Sequence, residues 1–190
     1  MRPNRLRTLI FLALCCDLGL FSKRLIAPAA NLITGALHIP GGIGTSLSLM
    51  FLAVAAAVVG RFGCATVMGA VQSALALAFG MVGSMGALSP IGYIVPGLAM
   101  DVTLAALRRT PLPRRDCIVL ANAIAAPCAA MTANLIVFRL RGAVLLLYLC
   151  VSALSGAVFG LAGAEIVRRL DPVLGAKKQT QQEGSVREKG

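Results

Sequence analysis

Tryptophan is absent from this sequence, tyrosine occurs twice and histidine once. A single imidazole excludes the His-rich metal centres, because zinc and the softer transition metals take several nitrogen or sulfur ligands. The six cysteines contain no CxxC pair and sit within or beside apolar runs, so they read as small packing residues. Acidic residues number seven against 18 Lys and Arg. No paired acids, HExxH or Ser/His/Asp arrangement stands where acid–base or nucleophilic catalysis would need it. The chain is therefore not expected to be an enzyme, to bind a metal or to carry a cofactor, and it has no GxxxxGK[ST] loop to hold a nucleotide.

What the chain does have is apolar length. Of its 190 residues 58% are hydrophobic, the mean hydropathy is +0.85, and apolar stretches of about 20 residues recur, each long enough to cross a bilayer. The net charge of +11 would suit nucleic acid only if the basic residues formed a patch. Instead 14 of the 18 fall between or beyond the apolar runs: Arg2, Arg5, Arg7, Arg61, Arg108, Arg109, Arg114, Arg115, Arg168, Arg169, Lys177, Lys178, Arg187 and Lys189. That is the positive-inside pattern of a membrane protein and excludes a nucleic-acid partner. The expectation is an all-α bundle of six transmembrane helices in the plasma membrane of a prokaryote, both termini cytoplasmic, over residues 1–170. A polar, disordered cytoplasmic tail is expected over 171–190.

The six spans are read at residues 6–27, 47–60, 64–82, 90–107, 117–138 and 143–167. The first opens like a signal peptide, but no cleavage site follows Cys16, so a retained helix is expected. It carries Asp17, Lys23 and Arg24; Asp17 and Arg24 lie two turns apart on one face, which should look into the bundle or toward a partner. Pro28 disfavours helical geometry at Ala27 and marks a kink or an end. Residues 31–46, with four glycines and the lone His38, read as a loop folded back on the bundle. Small residues recur at steps of four in the later spans, as in Ala65, Gly69 and Ser73 or Ser152, Gly156 and Gly160, which is a close-packing stripe.

The stretch Gly83 to Asp101, GSMGALSPIGYIVPGLAMD, joins an uncharged glycine-rich loop to an apolar helix. Backbone of that kind at membrane depth must sit in protein or line a cavity. Under the six-span topology the outer half collects neutral donors and acceptors, and Asn31, Thr34, His38, Gln72, Ser89, Tyr93, Asn134 and Tyr148 are the candidate ligand contacts. Each has an ordinary alternative. A hydroxyl in an apolar helix bonds back to its own backbone, a tyrosine can belong to the interfacial belt, and a loop histidine can simply pack. In the inner half Asp17 and Asp101 stand out, since an acid at membrane depth is costly unless paired or wet.

In order along the chain, a kinked first helix, the LHIPGG loop, the GALSPIGYIVPGLAMD segment, a basic inner loop and two Ala/Gly-rich helices resemble the substrate-binding S component of energy-coupling factor (ECF) transporters. The resemblance implies a six-helix protein that captures a vitamin, a vitamin precursor or a similar small polar micronutrient near the outer face. It also implies delivery through a transmembrane T component driven by two ATPase subunits. The family docks through an AxxxA-type stripe on the first helix; here Asp17 follows Ala13, and the docking role passes to Ala13, Cys15 and Gly19. LHIP is similar to the amino-terminal Met-His-Ile-Pro of the nickel and cobalt members, but it is internal here, where no chain terminus can help. A self-sufficient small carrier or channel is the alternative, with Asp101 as its proton site.

Overall fold

A computed structural model describes the backbone at residues 3–36, 43–80, 86, 88–139 and 141–187, and the side chains at 8–25, 44–80, 86, 88–137, 139 and 141–170. It is all-helical among those residues. Six α-helices follow one another: α1 (Pro3–Ala36), α2 (Ile43–Val59), α3 (Cys64–Ala78), α4 (Ser89–Leu107), α5 (Arg114–Ala133) and α6 (Ala143–Arg187). A π-helical turn, Asn134–Phe138, extends α5. Among the described residues three stretches are long and apolar enough to cross a membrane, Ser89–Leu107, Arg114–Val137 and Ala143–Leu170. At 1.5 Å per residue α2 and α3 reach only about 26 and 22 Å.

Close approaches fix the directions. Gly69 and Gly97 of α3 and α4 meet the backbone of Tyr93 and Ala65, and Gly156 and Gly160 of α6 meet Asn122 and Val119 of α5. In both pairs the register descends on one helix as it rises on the other, so each pair is antiparallel. Ser46 bonds Ser155 across 2.8 Å and Gly163 packs on Met50, so α2 and α6 run parallel. The central helix is α2, whose Leu52, Ala53, Ala55 and Ala56 are at most 1% exposed; it packs against every other helix. Small side chains on α2 and α5 let the backbones come close enough for dispersion to hold them.

This alternation gathers Arg61, Arg108, Arg109, Arg114 and Arg115 at one end of the bundle. There Arg114 donates to the Ala57 carbonyl at 2.8 Å, and Glu165 pairs with Arg168 and Arg169 at 2.8 and 3.2 Å. The starts of α2, α4 and α6 and the end of α5 lie at the other end.

Several boundaries differ from the sequence reading. Helix α1 passes through Pro28 and ends at Ala36, not at Ala27, so most of residues 31–46 is helix rather than loop. Helix α3 stops at Ala78 instead of 82, because Gly80 takes a left-handed φ of 66°. Helix α6 does not stop at 167 but continues to Arg187.

Candidate functional site

At the end of the bundle away from the arginines, four helices bound a small cleft. Lys23 of α1, Thr45 and Ser48 of α2, Gln72 of α3, and Gly92, Tyr93 and Pro96 of α4 form its walls over a floor of Leu49 and Leu52. The free space between these walls is about 10 Å³, room for about one water molecule and far below the roughly 300–1,000 Å³ of a pocket that engulfs a drug-sized molecule. A ligand larger than water enters only if the walls part.

The chemistry of the walls follows from local sequence. Gln72 is 1% exposed and donates from Nε2 to the Cys16 carbonyl at 3.2 Å; Gly19 is what admits it, since a Cβ there would lie 2.6 Å from Nε2. The Lys23 ammonium stands 4.1 Å from the centre of the Tyr93 ring, a cation–π contact with no carboxylate in hydrogen-bond reach among the described residues. Pro96 has no N–H to give the Gly92 carbonyl four residues earlier, and both residues line the cleft with Thr45 and Ser48. The cleft thus combines one cation, three hydroxyls and an amide.

Of the expected ligand contacts, Gln72 and Tyr93 come together here. Ser89 is buried at the start of α4, and Asn134 and Tyr148 are buried at the adjoining ends of α5 and α6. Asn134 heads the π-helical turn and accepts the Arg139 N–H at 2.8 Å; such turns break the regular ladder and recur at functional positions. Asn31 and Thr34 fall on α1, but their side chains, and all of His38, lie outside the described residues. Thr132 and Ser73 bond back to the carbonyls of Cys128 and Ala70, as hydroxyls in apolar helices do.

The docking residues separate. Cys15 is 5% exposed and Gly19 is buried against Gln72 and Ser48, so both face the bundle, and only Ala13 lies on the outer face of α1. The two acids also part. Asp17 is exposed, whereas Asp101 is 3% exposed and receives the N–H groups of Ala65 and Thr66 at 3.2 and 2.8 Å and the Thr66 hydroxyl at 2.7 Å. It caps the start of α3 from α4, in place of the pairing with Arg108 that its own helix offers.

Lys23, Thr45 and Ser48 were not among the expected contacts. Lys23 could have been found as a cation inside an apolar run, but the two hydroxyls carry no local signal. Asn122, fully buried, donates to the Gly156 carbonyl at 2.7 Å, while its Oδ1 has no partner among the described residues. No group of three His, Cys, Asp or Glu able to hold a metal occurs among them. No known protein family, curated protein or solved structure matches this sequence.

Proposed function

We propose that the chain is a membrane-embedded binding subunit, the S component of an ECF-type importer, that captures a small polar micronutrient in the cleft at the outer face. It hands the ligand to a T component driven by two ATPases. The observation that carries the membrane placement is the inversion of surface and core. Leu14, Phe21, Val67, Ile91, Val102, Ile124, Leu154 and Val158 point outward, each between 44 and 69% exposed, while Gln72, Asp101, Asn122 and Asn134 are inside. An apolar exterior on that scale is intolerable in water and ordinary in lipid. With the arginine-rich end in the cytoplasm, the cleft opens outward. The short α2 and α3 are accommodated by local thinning of the bilayer.

The resemblance to S components supports the importer reading, and the cleft supplies the mixed polar and aromatic lining that such a ligand needs. The test is mass spectrometry of the small molecule released when the purified, unsupplemented protein is denatured, followed by uptake in liposomes. A binding subunit retains a molecule and moves none of it alone; uptake by the isolated chain would make it a carrier instead. Once that molecule is known, Tyr93→Phe and Thr45→Val are each expected to weaken its binding about 5- to 50-fold, the loss of one hydrogen bond to a desolvated partner, with helicity unchanged. Asn134→Ala tests whether the site reaches α5. Unaltered affinity in all three would remove the site from this end of the bundle.

A further inference from the structure

The face of α1 that the bundle leaves uncovered is not uniformly apolar. Ile10, Leu14, Leu18, Phe21 and Leu25 lie on it, 49 to 61% exposed, and Asp17 and Arg24 lie among them, both exposed. The two charges are seven residues apart, hence on one face and about 10 Å apart along the axis. Asp17 is also about 15 Å from Arg7 along the helix, near the middle of the apolar run between Arg7 and Lys23. An arginine can extend its stem to the interface. An aspartate has one methylene and cannot, and a carboxylate facing acyl chains at that depth is strongly disfavoured unless paired. Among the described residues Asp17 makes no hydrogen bond or ion pair.

We propose that this face of α1 seats a transmembrane helix of a different protein, one that carries a lysine or arginine at the depth of Asp17 and an acid or other acceptor about two turns away, opposite Arg24. Lipid does not satisfy Asp17. Nor does a second copy of this chain: copies inserted the same way and related by a two-fold axis along the membrane normal set Asp17 against Asp17 and Arg24 against Arg24. The inference rests on the membrane placement above and deepens it, by naming an ionic contact at depth as the mark of the partner. With Cys15 and Gly19 turned inward, a stripe of small residues does not define this face.

The test uses the full chain reconstituted in phosphatidylcholine vesicles with synthetic leucine/alanine transmembrane peptides, identical except for one central Lys, Leu or Asp, and energy transfer between labels on protein and peptide. Resistance to carbonate extraction, measured first, tests the membrane placement by itself. The Lys peptide is expected to associate at least tenfold more tightly than the Leu or Asp peptide. The preference disappears in Asp17→Leu and reverses toward the Asp peptide in Asp17→Lys, which separates recognition of charge from a change in fold. Equal association of the Lys and Leu peptides, a preference that survives Asp17→Leu, no association of any peptide, or self-association of the chain through α1 would overturn the proposal.

Discussion

Replacing Asp101 by alanine is expected to lower the unfolding free energy by about 2–4 kcal/mol, because three donors at the start of α3 then lose their acceptor away from water. The residue before α3, Gly63, has a φ of 85° and no side chain to cap the helix, so the first N–H groups depend on the carboxylate from α4. That carboxylate also meets the positive end of the α3 dipole. Asp101→Asn keeps an acceptor but turns an NH₂ toward the donors and removes the charge, so about half the loss is expected. Helicity followed through chemical unfolding in micelles measures both. If Asp101 were the proton site of a carrier, Asp101→Asn would abolish transport in a protein of undiminished stability; the capping geometry predicts the reverse pairing, lower stability with ligand retention intact.

The second large effect belongs to the seam between α3 and α4. A Cβ at Gly69 would lie 2.5 Å from the Tyr93 carbonyl oxygen and 3.2 Å from its carbon. These are backbone atoms in mid-helix and have no rotamer to retreat into, so Gly69→Leu must push the helices apart. Roughly 3 kcal/mol of stability is expected to go, at the upper end of overpacking costs. Ligand retention goes with it, since Tyr93 is a wall of the cleft. Gly163→Ala is the contrast: its added carbon meets the Met50 side chain at 3.0 Å, a flexible thioether stem that can move aside, and its unfolding midpoint should shift little.

Helical class and three of the six helix starts were legible in the sequence, because apolar length and glycine or arginine punctuation act locally. The starts of α3 at Cys64, α4 at Ser89 and α6 at Ala143 fall within a residue of where the pattern puts them. The end of α1 was not legible. Proline removes one N–H and crowds the residue before it, but the rest of the hydrogen-bond ladder can continue around it, and the helix runs on past Pro28. The inward side of α1 was equally hidden. Periodicity places Cys15 and Gly19 beside each other without saying that α3 will press Gln72 against one of them.

The candidate site divides in the same way. Gln72 and Tyr93 announce themselves as polar groups in apolar helices, whereas Thr45 and Ser48 acquire meaning only from α4 lying opposite. The partner of Asp101 lies 36 residues upstream in the chain, beyond any reasoning from neighbours one or two turns away.

The carboxylate that holds the start of α3 to α4 has a mechanical consequence. Together with the glycine contacts at positions 69 and 97 it bolts the first turns of α3 to the middle of α4. A cleft that widens would do so at its α1 wall and not between those two helices, although α1 is itself held by the Gln72 bond, by the lysine resting on the aromatic ring and by the burial of Cys15, Cys16 and Leu20 in the bundle.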